Sequence, residues 1–291
     1  MNLKHNSIAA AAVLLACSAS VNAANITNTL FSGFQQLSDN SAETIIKAQN
    51  STSNPKLLEV GDRLHGIFTI ETIEKSPNPK RLLGTGGNYD LSGIFDITVT
   101  GKNGGPGAYS FTFAPTASFQ ALYGSGAMIA FFEDPVNNYT RTTDATCTSS
   151  AAGGNCEQNI TDGNLLWVAG FGTSLDFWQA NSITDNIAQI GAIPAPNNGG
   201  TYNLGLSQLA GGTGPSLGLV NCFNLHTFTP TQNNICGSGS LLGTGGVNTP
   251  YTSFDNVDFT INVNKVPEPA ILGLMGLGLI GMAAGRRKKV K

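Results

Sequence analysis

Alternation of apolar and polar positions dominates the middle of the chain. In LHGIFTIETIEK, from Leu64 to Lys75, an extended backbone puts Ile67, Thr69, Glu71 and Ile73 on one face and Phe68, Ile70 and Thr72 on the other. Turn-formers bound this run, Gly61-Asp62 before it and Pro77-Asn78-Pro79 after it. The same pattern recurs in YDLSGIFDITVTGK from Tyr89, AYSFTFAP from Ala108, AMIAFFEDP from Ala127, LLWVAGFG from Leu165, TYNLGLSQL from Thr201 and FDNVDFTINV from Phe254. One segment departs from it. SAETIIKAQN, Ser41 to Asn50, offers a capping serine, good helix formers and paired isoleucines, and predicts a short helix. Seven or more short strands with no amphipathic helices between them predict an all-β fold: one antiparallel β-sandwich-like domain with a single short N-terminal helix.

The two ends follow different rules. MNLKHNSIAAAAVLLACSASVNA has a basic Lys4, an apolar stretch from Ile8 to Ala16, and Val21 and Ala23 where a signal peptidase reads small side chains. That is the layout of a removable secretory signal over residues 1–23, cleaved after Ala23 and too short for a stable membrane span. Leu14 to Cys17, LLAC, also resembles the lipobox of bacterial lipoproteins, although Leu15 fits that pattern poorly.

At the C-terminus, Pro267-Glu268-Pro269 precedes an apolar run from Ala270 to Gly285 and the basic cluster Arg286, Arg287, Lys288 and Lys289. Sixteen helical residues reach about 24 Å, enough for a slightly short transmembrane helix over 270–285 with the basic cluster anchored in cytoplasmic headgroups. The order resembles the PEP-CTERM sorting signal of Gram-negative bacteria, and the resemblance is confined to this tail, residues 267–291. It implies that the membrane protease exosortase recognises Pro267, Glu268 and Pro269, with the inner membrane holding the chain only transiently. The implied destination is the cell surface or the extracellular matrix. The exported body is then residues 24–266.

Composition narrows the classes open to that body. Charged residues are 11% of the chain and Gly occupies 36 positions, the profile of a turn-rich extracellular β protein. Residues 24–266 carry nine basic and seventeen acidic side chains, a net charge of about −8. Such a surface has no footprint for phosphate backbones, so nucleic acid is not an expected partner. LLGTGG occurs at Leu82–Gly87 and at Leu241–Gly246, and reads as one glycine-rich turn used twice.

With Cys17 lost in the signal, four cysteines remain in an oxidising compartment, and spacing pairs Cys147 with Cys156 and Cys222 with Cys236. A four-thiolate zinc site is the alternative, but neither spacing is C-x2-C, and no metal is expected. No cofactor is expected either. Gly276 to Gly281 spells the dinucleotide-binding pattern, yet no strand precedes it and no acid follows.

Candidate chemistry is sparse. His65 and His226 are the body's histidines and read as surface or capping residues. Glu133 with Asp134, and Asp255 with Asp258, are the nearest approaches to a glycosidase carboxylate pair, and Asp162-Gly163-Asn164 is a weak calcium candidate. Trp167, Phe171, Phe177 and Trp178 would stack on sugars if exposed, and otherwise belong to the core. The expected function is a noncatalytic surface or exopolysaccharide-matrix protein, with extracellular polysaccharide as a partner. A secreted carbohydrate-active hydrolase is the alternative.

Overall fold

Strand pairing closes into a ring. A computed structural model describes residues 30, 32–49, 57–75, 80–82, 90–134, 149–186, 200–243, 251 and 253–264. The strands are β1 (Gly33–Ile46), β2 (Arg63–Glu74), β3 (Lys80–Leu82), β4 (Asp90–Gly105), β5 (Ala108–Pro115), β6 (Ala127–Asp134), β7 (Asn164–Gly170), β8 (Phe177–Ser182), β9 (Gly200–Leu209), β10 (Leu217–Gly218), β11 (Val220–Asn224), β12 (Thr229–Asn233), β13 (Ile235–Gly243) and β14 (Ser253–Val263). Two short helices, α1 (Ala117–Tyr123) and α2 (Asn155–Thr161), lie among them. All these elements belong to one compact unit, Gly33–Asn264.

The eight strands β2, β1, β14, β13, β9, β7, β6 and β4 follow one another around a closed antiparallel barrel, because β4 returns to pair with β2. The expected sandwich is therefore corrected to a barrel: a sandwich leaves sheet edges, and the β2–β4 pairing removes them. Two strands branch. Along its other edge β4 pairs with β6 over Asp90–Phe95 and with β5 over Ile97–Gly105. Likewise β9 pairs with β7 near Leu209 and with β8 over Gly200–Gly205. One sector of the wall is thus split, β6–β7 at one end and β5–β8 at the other.

The expected helix at Ser41–Asn50 is also corrected. Residues 41–46 are the second half of β1, held between β2 and β14 in antiparallel register. Two flanking ladders satisfy the backbone of a central strand, which outweighs a few tenths of a kcal/mol per residue of helix propensity. All seven strands expected from alternation are present, displaced by at most three residues at their ends.

Interior positions alternate with outer ones. On β14, Ser253, Asp255, Val257, Phe259, Ile261 and Val263 are buried, while Asn256 and Thr260 face solvent. The barrel core is aromatic. Phe131 lies 5.1 Å from Phe68, 5.5 Å from Phe259 and 5.9 Å from Trp167, ring centre to ring centre, all edge to face. Outside the barrel, α1 and α2 cover a second apolar layer that includes Ile67, Ile94, Phe119, Phe132, Cys156 and Ile160. Thr116 caps α1 by accepting from the Phe119 N–H at 3.3 Å, and Gly124, at φ 101°, ends it.

The β2–β4 seam depends on two glycines. Gly66 lies opposite Phe95 and Gly93 opposite Phe68, so each ring folds across the glycine of the neighbouring strand. A Cβ on Gly93 would sit 2.2 Å from the Phe68 ring and 2.5 Å from the Ala130 carbonyl oxygen. We expect Gly93→Ala to destabilise the barrel by about 1–3 kcal/mol, read as a lowered urea midpoint. Gly105→Ala, whose Cβ meets open space, is the control and leaves the midpoint nearly unchanged.

Candidate functional site

Carboxyl groups inside the barrel are the first feature that alternation along the sequence did not reveal. On β1 the inward positions run Gln35, Leu37, Asp39, Ser41, Glu43 and Ile45, so polar residues occupy the middle of an interior face. Across the β1–β14 ladder Ser41 is level with Asp255 and Glu43 with Ser253, which places Glu43 diagonally beside Asp255. The Ser41 hydroxyl donates to Asp255 Oδ1, and the Tyr202 hydroxyl, from β9, donates to Asp255 Oδ2 at 2.7 Å. Asp39 accepts the Val257 N–H.

Glu43 differs from its neighbours. It is 1% exposed, and its carboxyl lies against the Asp255 carboxyl and the Ser253 hydroxyl. Burial, then the Asp255 carboxylate, push its pKa well above the ordinary carboxyl range. Burial and the same carboxylates also raise Tyr202. Glu43, Asp255, Tyr202 and Ser182 line a cavity whose other walls are apolar, among them Phe95, Phe111, Phe113 and Trp178. Its volume, about 30 Å³, has room for one or two waters.

A second, larger concavity lies on the outer surface. Below the β11–β12 hairpin, the outward faces of β9, β13 and β14 form a groove of about 260 Å³, lined by Asn203, Asn221, Phe223, Ser238, Asp258 and Thr260. The hairpin is fixed to the barrel by the Cys222–Cys236 disulfide, the pairing expected from spacing, which closes a short loop and limits the unfolded chain by roughly 3 kcal/mol. The Asn203 side-chain amide also donates to the Phe223 carbonyl. Cys156 is disulfide-bonded as well, and Cys147 lies outside the described residues.

The candidate pair of Asp255 with Asp258 comes apart. Asp255 faces the interior and Asp258 the outer groove, because residues three apart on a strand point to opposite faces. Glu133, half-buried, has its pKa raised to about 7 by burial. Asp162 is the C-cap of α2. Trp167, Phe177 and Trp178 are core residues, and Phe171 is half-buried.

His65 is corrected from surface to buried: it is 3% exposed, beneath α2. Its Nε2 lies 3.2 Å from Glu157 Oε2 and its Nδ1 3.9 Å from Asp96 Oδ2, while Arg63 Nε donates to Asp96 Oδ1 at 3.1 Å. Burial acts to raise the Glu157 pKa, yet hydrogen bonds from His65 and the Gly153 N–H hold it below the ordinary value. This network clamps α2 onto β2 and β4. His226, with Nε2 3.0 Å from Ser110 Oγ and 3.2 Å from Asn181 Oδ1, has its pKa lowered by burial.

The raised carboxyls set a pH dependence. Glu133 titrates at about 7 in the fold against 4.5 when free, so between those values the folded chain holds a proton that the unfolded chain has released. Stability therefore falls as pH rises through that window. Glu133→Gln should flatten the fall of the urea midpoint between pH 4.5 and about 7, and adding Glu43→Gln should flatten it further.

Signal residues up to Ala23, the sorting tripeptide Pro267, Glu268 and Pro269, the expected membrane helix and the cluster Arg286 to Lys289 lie outside the described residues. Among the described residues no helix is long and apolar enough to cross a membrane. No curated protein and no solved structure matches the chain. The tail, residues 265–288, matches the family model of the PEP-CTERM protein-sorting motif, and this marks the chain as an exported protein sorted through exosortase.

Proposed function

We propose that the mature protein is a noncatalytic component of the cell surface or of the exopolysaccharide matrix. In this reading the signal peptide leaves after Ala23, the inner membrane holds an intermediate, and exosortase acts near Pro267-Glu268-Pro269. The sorting motif at residues 265–288 carries the proposal, because it directs an exported protein to the envelope. The low-charge exterior of the body, rich in Ser, Thr and Asn, supports it.

A carbohydrate-active hydrolase is the second reading, and Glu43 is what favours it: a protonated carboxyl beside the Asp255 carboxylate is the equipment of a general acid and its partner. Size weighs against it. A cavity of about 30 Å³ does not admit a sugar ring.

Intact mass of the protein recovered from its host tests the first reading. The expected mass lacks residues 1–23 and everything near or beyond Pro267, and replacing Pro267, Glu268 and Pro269 together by alanine leaves the tail attached. A wild-type mass that retains the basic tail would overturn it. Glycan hydrolysis by the wild type that disappears in Glu43→Gln would favour the second.

A further inference from the structure

The outer groove has the attributes of a binding site on three independent counts. Its floor is a row of polar side chains in register: Asn203 on β9 is opposite Ser238 on β13, which is opposite Asp258 on β14. Neighbouring strands are about 4.8 Å apart, so the row presents a hydroxyl and a carboxylate side by side, next to Asn203, which is buried and hydrogen-bonded to the Phe223 carbonyl and Gln179. Thr260 extends the floor along β14, and Ser238 and Thr260 are exposed.

Its rim is aromatic and rigid. Phe223 is 51% exposed beside Asn221, on a hairpin fixed at the adjacent residue by the disulfide and at its own carbonyl by Asn203. A large apolar side chain left in solvent gains nothing for the fold, and one held in place loses little entropy when it contacts a ligand. The groove's charge is the third count. Its side chains include one carboxylate and no cation, so polyanions are repelled and a ligand without charge loses nothing.

We infer that this groove binds one sugar residue of a neutral glycan, with Phe223 against the apolar face of the ring and Asn221, Ser238, Asp258 and Thr260 hydrogen-bonding its hydroxyls. A pyranose combines an apolar ring face with a polar rim, and the groove offers the matching pair of surfaces. The volume of about 260 Å³ lies just below the usual range for small-molecule pockets, roughly 300–1,000 Å³, and suits a single residue of a chain that continues into solvent. The inference rests on the surface-protein reading, to which it adds a ligand class and a site.

Affinity electrophoresis of the mature barrel through gels containing a neutral glucan, a neutral mannan or polygalacturonate tests it. Wild type should be retarded by at least one neutral polymer and not by polygalacturonate. Phe223→Ala and Asn221→Ala should each weaken that retardation by roughly tenfold, since one ring stack or hydrogen-bond set is worth about a decade in affinity. Phe228→Ala removes a still more exposed phenylalanine, 76% exposed and outside the groove lining, and should change nothing. Circular dichroism confirms that each variant is folded. Retardation unaffected by Phe223→Ala and Asn221→Ala, stronger binding to polygalacturonate, or no retardation by either neutral polymer would overturn the assignment. The intact-mass result bears on the surface reading separately, so a processed protein whose groove variants still bind as wild type leaves that reading standing and removes only this one.

Discussion

The β2–β4 pairing is the contact on which the barrel depends. A sheet of this length can close only if β2 and β4, the two ends of the eight-strand order, approach with bulky interior side chains already present. Reciprocal glycine–aromatic pairs make that possible: Phe95 occupies the space above Gly66, and Phe68 the space above Gly93. Remove either vacancy and the rings need another place in a core already filled by Phe131, Phe259 and Trp167. Closure in turn removes the free edges that an exported, glycine-rich β protein would otherwise expose to its neighbours.

Closure creates the interior cavity, and the hairpin on the wall adds a second concavity of opposite character. The interior carboxyl residues Asp39, Glu43 and Asp255 are buried, so they must be neutralised or hydrogen-bonded. Asp255 takes the hydroxyls of Ser41 and Tyr202, Asp39 takes a backbone N–H, and Glu43 is left to keep its proton. The outer groove arises where the β11–β12 hairpin, too short to pack on its own, is fastened by a disulfide over the barrel wall. Asn203 there is buried and hydrogen-bonded to the Phe223 carbonyl and Gln179, while Ser238, Thr260 and Asn221 stay in water at no comparable cost.

Most of the fold was legible where apolar alternation was intact. The segments from Leu64, Tyr89, Ala108, Ala127, Leu165, Thr201 and Phe254 are strands because each buries one face and ends at turn residues. The strands that escaped notice are those in which alternation failed. β13, ICGSGSLLG, puts glycines at its inward positions, where Gly237 makes room for Leu204, and β8 is only six residues long. β1 failed for the reason that makes it interesting: Asp39, Ser41 and Glu43 are inward-facing polar residues, and an interior that tolerates them can be recognised only once Asp255 and Tyr202 are in place beside them. The groove was hidden too, since Asn203, Asn221, Ser238 and Asp258 are far apart in sequence and individually ordinary.

What the sequence determined by itself was local: the strand periodicity, the Cys222–Cys236 pairing across a short loop, and the contiguous tripeptide, apolar run and basic cluster of the sorting tail. Each is encoded within a couple of dozen residues, so no knowledge of distant partners is needed to read it. Tertiary structure alone decided that the sheet closes, that residues 41–46 are a strand, that His65 is buried, and that Asp255 belongs with Glu43 rather than with Asp258. Those outcomes depend on which strands become neighbours, and pairing between residues more than two hundred positions apart leaves no mark on either segment taken alone.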